Sequence, residues 1–308
     1  MAERQMIDYI FYSLIFPGLI FLLLFGSLVS WIDRKVTAKI QWRQGPSILQ
    51  PFYDVRKLFL KETIIPVGGN KTAFILAPAI SFLSIILISN ILIVTWMYPQ
   101  KGFIGDLIVL IYLLVVPSLS AIIGASASNS PYAALGASRE MKSMMAYELP
   151  FIISILIPII KTKDISLGQI IMFQQANGSF IFSLSGILAF LAALLCMHAK
   201  LGIVPFDMAE AETELAGGYL AEYSGPLLAV WKMAKMMLLV IGPLFVIAMY
   251  FGGGNVVFIA LKYLLIVVMG IIVKNTNPRL RVDQALKFFW FFVTGLALLA
   301  LILAIFGY

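Results

Sequence analysis

Long apolar runs, recurring from one end of the chain to the other, limit what this sequence can fold into more than any other feature. A bilayer-spanning helix needs about 20 mostly apolar residues. That length finds eight candidate spans, near 8–32, 73–98, 105–127, 145–160, 181–199, 225–250, 255–273 and 287–307. Hydrophobic residues make up 61% of the 308 and charged residues 12%, far from the roughly one-quarter charged composition of a soluble domain. The expectation is an all-α integral membrane protein with about eight transmembrane helices, forming one multi-pass membrane domain over residues 1–308. Segments of alternating hydrophobicity, which would mark a membrane barrel, are missing. So are internal repeats and low-complexity linkers. The first run follows a start in which Arg4 is balanced by Glu3, and no small-residue cleavage site follows it. It reads as a retained span rather than a signal peptide. Pro17, Pro78, Pro117, Pro158 and Pro243 fall inside runs, where neighbouring helices can satisfy the backbone groups that proline frees.

The basic residues crowd into particular loops. Arg34, Lys35, Lys39, Arg43, Arg56, Lys57, Lys61 and Lys71 lie in the 33–71 loop, Arg139 and Lys142 in the 128–144 loop, and Lys274, Arg279, Arg281 and Lys287 in the 274–287 loop. With eight alternating spans these share one side with Lys200, leaving Arg4, Lys101, Lys161 and Lys163 on the other. The positive-inside rule makes the first side cytoplasmic and both termini external. The net charge of +7 is thereby read as an orientation signal, and no nucleic-acid surface is expected.

Cys196 and His198 are the only residues of their kinds. The sequence therefore offers no internal disulfide, no zinc or iron–sulfur ligand spacing and no haem held by two histidines. They read as packing and snorkelling residues near a helix end. No Ser/His/Asp, Walker or glycine-rich phosphate motif is present. The chain is expected to carry no metal, no cofactor and no catalytic residue of its own.

The densest charge lies between Asp207 and Gly225. Asp207, Glu210, Glu212, Glu214 and Glu222 are five of the 15 acidic residues of the chain. If the segment is helical, Asp207, Glu210 and Glu214 share one face and Glu212 points away. A carboxylate cluster against a membrane must be solvated, protonated or paired, which leaves two readings, a functional relay or an acidic cytoplasmic loop. Lys232 and Lys235 lie within the sixth span on a common face, Lys262 lies within the seventh, and Glu148 opens the fourth. Ionisable groups at that depth usually face the bundle interior and pair, or snorkel if the side chain is long. Carboxylates held close together can change protonation in response to a nearby charge. Such chemistry suits coupling rather than bond-breaking. In the 33–71 loop, RQGPSILQPFYDVRKLFLKE joins a Gly-Pro turn to a basic amphipathic segment, suited to the membrane interface or to a docking partner.

Three separated motifs, GPSILQPFYDVRKLFLKE at 45–62, AYELP at 146–150 and PFDMAEAETELAGGYLAEYSG at 205–225, resemble subunit 1 (the H-type membrane subunit) of respiratory complex I and of its hydrogenase relatives. Their order, spacing and eight-helix frame cover essentially the whole chain. The resemblance implies an H-subunit-like bundle at the junction between a peripheral redox arm and ion-pumping membrane subunits. Carried onto this sequence, it makes Glu148, Asp207, Glu210, Glu212 and Glu214 the linking carboxylates. Glu222, Lys232, Lys235 and, in the SREMKS loop, Glu140 are further coupling candidates, and Arg34, Arg43, Arg56 and Lys57 are docking charges. Complex I versions of the first loop read closer to GPNRVGPFGLLQP and of the acidic run EAEQEL. This chain has GPSILQP and EAETEL, which look more like the membrane-bound [NiFe]-hydrogenase group, including formate-hydrogenlyase and sulfur-reducing complexes. That branch implies partners holding iron–sulfur clusters, with nickel–iron in some complexes: hydrogenase-like large and small subunits, a ferredoxin-like iron–sulfur subunit and antiporter-like membrane subunits, all at the lipid bilayer. A quinone-site subunit of complex I, an independent secondary transporter and a purely structural anchor are the alternatives.

Overall fold

The computed structural model describes residue 12 and residues 14–307, and for Lys101, Glu212 and Thr213 the backbone alone. Among the described residues every regular element is helical. In chain order these are α1 (Leu19–Ile40), α2 (Gln50–Phe59), α3 (Lys71–Met97), α4 (Asp106–Ala127), α5 (Pro131–Thr162), α6 (Leu167–Asn177), α7 (Leu184–Lys200), α8 (Gly225–Tyr250), α9 (Val256–Thr276) and α10 (Val282–Ile305). A π-helical stretch over Phe288–Val293 interrupts α10. Six of these, α3, α4, α5, α8, α9 and α10, are long and apolar enough to cross a membrane, and α7 is a shorter apolar helix. With α1, which ends among Asp33, Arg34, Lys35 and Lys39, they account for the eight expected spans.

Several boundaries differ from those read by hydropathy. Pro17 precedes α1 in a bend rather than lying within a helix, and its carbonyl accepts from the buried Ser89 hydroxyl at 2.7 Å. The earlier part of the 8–32 run, residues 8–11, lies outside the described residues. The fourth span begins at Pro131, so the expected 128–144 loop is largely helix, and Glu148 sits well inside α5 instead of opening it. Pro131 is pre-organised for a first helical turn, and the Ala, Leu, Arg, Glu, Met and Lys that follow are all strong helix formers. Hydropathy registers only the membrane-length part. α6 has no counterpart among the expected spans. Its start is fixed by Asp106, whose buried Oδ1 accepts from the Leu167 amide at 2.8 Å.

The chain forms two compact units. The first comprises Met1–Asn90, Leu113–Met141 and Ala209–Ile241, the second Ile91–Tyr112, Lys142–Met208 and Gly242–Tyr308. In the first, α1 packs on α8 where Gly26 faces the Met236 carbonyl, leaving no room for a side chain; small residues at such points let helix backbones approach. Phe74 stacks on Tyr223 with ring centroids 4.1 Å apart, in a buried cluster with Ala77, Ala121 and Trp231. In the second, α7 packs against α10. There the Tyr250 hydroxyl donates to the Ser154 carbonyl at 2.8 Å, and Gln174 donates to the carbonyls of Ala248 and Met249.

Candidate functional site

The acidic run does not form the single helical face that its spacing allows. Residues 207–211 are turn and irregular backbone, a short helix covers Glu212–Leu215, and Ala216, Gly217 and Gly218 follow with left-handed backbone at φ +50°, +103° and +60°. The glycines explain why the short helix ends at Leu215. Gly218 lies against the Ala209 carbonyl where a Cβ would clash, and positive φ is adopted freely only by glycine. With 207–211 irregular, Asp207, Glu210 and Glu214 point to three different bases.

In the first unit, Lys235 of α8 pairs with Glu210 Oε2 at 2.5 Å, and the Tyr219 hydroxyl donates to Oε1 of the same carboxylate. Arg139 of α5 reaches Glu214 at 2.7 Å. Glu140 follows Arg139 on α5, and Glu222 lies in the turn before α8; both are partly exposed. Lys232 is exposed rather than part of a buried track. Arg34 pairs with Asp54 of α2 at 2.7 Å, and Gln50 donates to the other oxygen of that carboxyl at 3.0 Å. Burial alone would raise the Asp54 carboxyl. The Arg34 and Gln50 bonds and the charges of Arg34 and Lys232 outweigh it and hold the group below its ordinary value. Arg43, Arg56 and Lys57 are exposed. Between α1, α2 and α8 lies a cavity of about 530 Å³ lined by Leu23, Ser27, Phe52, Phe59, Met233 and Met236, with Arg56 among its walls.

The second unit holds Glu148 and Asp207. Lys200, the last residue of α7, meets both oxygens of Glu148 at 2.8 and 3.1 Å. Its side chain is 1% exposed against 18% for Glu148. Its ammonium also lies 5.3 Å from the Tyr147 ring centre and 4.9 Å from that of Phe151, close enough for cation–π attraction. Asp207 Oδ2 pairs with Arg279 at 2.8 Å while its Oδ1 is buried with no partner among the described residues. The Leu280 amide donates to Pro205 beside it at 3.0 Å, and Phe206 packs on Phe289 with centroids 4.9 Å apart. His198 bonds the Val204 carbonyl at 2.9 Å and Cys196 is buried. Lys262 bonds the Phe251 carbonyl at 3.2 Å. Sequence reasoning grouped Lys200 and Arg279 with the loop charges and passed over Tyr219. The aromatic residues flanking Glu148 in AYELPF were the available signal for a cation nearby. The Glu212 side chain lies outside the described residues.

These features define a multi-pass helical membrane protein that keeps paired acidic and basic side chains within and between its helices. Its sequence places it further. A family model described as NADH dehydrogenase matches residues 14–305. An H-type subunit of NADH-quinone oxidoreductase from Syntrophobacter fumaroxidans is 32% identical over 90% of this chain and 89% of its own. NADH-ubiquinone oxidoreductase chain 1 of Mytilus edulis is 34% identical over 84% and 85%. A chain of the membrane-bound sulfane sulfur reductase, an archaeal respiratory membrane complex, is similar in structure with a TM-score of 0.83 and 29% identity, over 92% of this chain and 96% of that one. The chain belongs to the NADH dehydrogenase family, as an H-type membrane subunit like that of complex I.

Proposed function

We propose that this chain is the membrane subunit that docks a peripheral redox arm and couples its ferredoxin-driven reaction, hydrogen evolution or a related reduction, to proton or sodium translocation. Glu148 carries the reading. A carboxylate inside a candidate span, paired with a lysine that is almost wholly enclosed, is expensive to maintain in lipid and is a functional group by default. Coupling is further supported within the first unit, where the basic α2 loop and the acidic run are tied together. The Ile64 amide donates to the Ser224 hydroxyl at 2.9 Å, and Gly225, at φ +54°, lies against the Glu62 carbonyl. The arm would dock through Arg34, Arg43, Arg56 and Lys57 on the cytoplasmic side, both termini being external. Its hydrogenase-like large and small subunits and ferredoxin-like subunit would hold the iron–sulfur and nickel–iron centres. Protonation changes at Asp207, Glu210, Glu212, Glu214 and Glu148 would pass the event to antiporter-like membrane subunits. The likeness to a chain of a sulfur-reducing complex favours this branch. The test is Glu148→Gln in the whole complex reconstituted in liposomes. Loss of ion transport with assembly intact is expected, and full transport would refute the coupling role.

The cavity favours a second reading, the quinone-site subunit of a complex I. Its apolar walls and one guanidinium suit an amphiphile with an isoprenoid tail. Quinone reductase activity lost on Phe59→Trp, which fills the space, would choose this reading over the first.

A further inference from the structure

We infer that Tyr219 is the residue that positions Glu210 in both of its protonation states, so that protonation releases Lys235 and not the acidic segment. This rests on the coupling role proposed for the run and names how one carboxylate of it works. The Glu210 carboxylate is held from two sides by different chemistry, the Lys235 ammonium on Oε2 and the Tyr219 hydroxyl on Oε1. An ammonium is a donor only, and its hold is mostly charge. A hydroxyl both donates and accepts. It can donate to the carboxylate and bond equally to the neutral acid. When a proton settles on Oε2, Lys235 loses its counter-charge while the Tyr219 bond survives.

Tyr219 is well placed to be the fixed point. It packs on the buried cluster of Ala125, Ala133 and Ala137, and its ring meets Trp231 edge to face at 6.1 Å. Its amide lies against Gly136, where a Cβ would clash. Lys235 is the natural moving part, a flexible side chain 36% exposed. The charges on the elements around the triad are few. α5 contributes Arg139, which is paired with Glu214, and Glu140; α8 contributes Lys232, which is exposed. The 113–127 part of α4 contributes none. Tyr219 is thus a positioning residue.

The experiment uses the whole purified complex carrying Tyr219→Phe, Glu210→Gln or both, with Phe keeping the ring packing. Amide hydrogen exchange over 209–217 reports opening, because Glu214 and Leu215 donate there to the Ala211 carbonyl. Glu210→Gln imitates the neutral acid, keeping an acceptor for Tyr219 and turning an amide NH2 toward Lys235. It should leave exchange near wild type, while the double variant exchanges roughly tenfold faster. In Tyr219→Phe alone the protection should become pH-dependent and fall as Glu210 protonates, a response that simple loss of packing would not produce. Equal exchange in Glu210→Gln and the double variant, or pH-independent protection in Tyr219→Phe, would overturn the inference. Ion transport is measured on the same samples. Transport retained in Glu210→Gln would remove Glu210 from the coupling path and leave the exchange result standing on its own.

Discussion

Replacing Lys200 by methionine tests the pair on which the functional reading rests. The substitution keeps the unbranched stem among Tyr147 and Phe151 and removes the ammonium that both Glu148 oxygens bind. Breaking a buried ion pair from one side costs about 3–5 kcal/mol. Glu148 retains 18% exposure, so water can solvate part of the stranded charge, and the low end, about 3 kcal/mol, applies. Glu148→Gln should be milder, about 2 kcal/mol, because the amide oxygen still accepts from Lys200 and the two rings remain under the ammonium. With both changes the charges are gone and only an under-satisfied amide remains, again about 2 kcal/mol. The double-mutant cycle then gives a coupling energy of about 3 kcal/mol. Thermal unfolding of the purified complex at neutral pH, followed by tryptophan fluorescence, would show Lys200→Met melting about 6 °C lower, and the double variant no lower than either single one. Additive losses, with the double variant the least stable of all, would refute the pairing argument. So would a Lys200→Met complex that melts with wild type.

Three further outcomes follow from local geometry. Gly225→Ala meets both a positive φ of 54° and the carbonyls of Lys61 and Glu62; thermal unfolding should show a loss of about 2 kcal/mol or more. Arg139→Gln breaks a pair whose Glu214 side chain is 61% exposed, so the same melt should change by only about 0.5 kcal/mol, because surface bridges are screened by solvent. Asp54 is depressed below its ordinary 3.8, so its contribution to holding α2 on α1 is complete above that value and fades as the pH falls through the lower native one. Arg34→Gln should move this acid release to higher pH, as followed by hydrogen exchange over 50–59.

The spans were legible because the bilayer demands a length and a composition that few other structures share. Their ends were not. Arg139, Glu140 and Lys142 look like a loop to a hydropathy scale, yet they are good helix residues, and α5 runs straight through them. The acidic residues that could matter were legible too, since Glu148 and the 207–222 run stand out against apolar surroundings. Their partners were not, because spacing arguments reach one or two turns. Lys200 comes to Glu148 across 52 positions, and Arg279 to Asp207 from a loop after another helix. The irregular backbone over 207–211 mattered most, since it replaced one shared face by three separate pairs.

That division has a mechanical consequence for the first unit. Glu210 is tied to α8 and Glu214 to α5, while the Ser224–Ile64 bond and the close fit of Gly225 on Glu62 tie the start of α8 to the loop after α2. The exposed Arg56 and Lys57 therefore belong to a segment joined to α8, which carries Lys235, the base paired with Glu210. The exposed Arg139–Glu214 pair is worth little and can break and reform cheaply. The Glu210 carboxylate is held by an ammonium and a hydroxyl at once, and two simultaneous charge-assisted bonds are harder to lose than one. Of the two ties, that of Glu214 to α5 is therefore the first to give way, and the Glu210 end of the segment stays on α8.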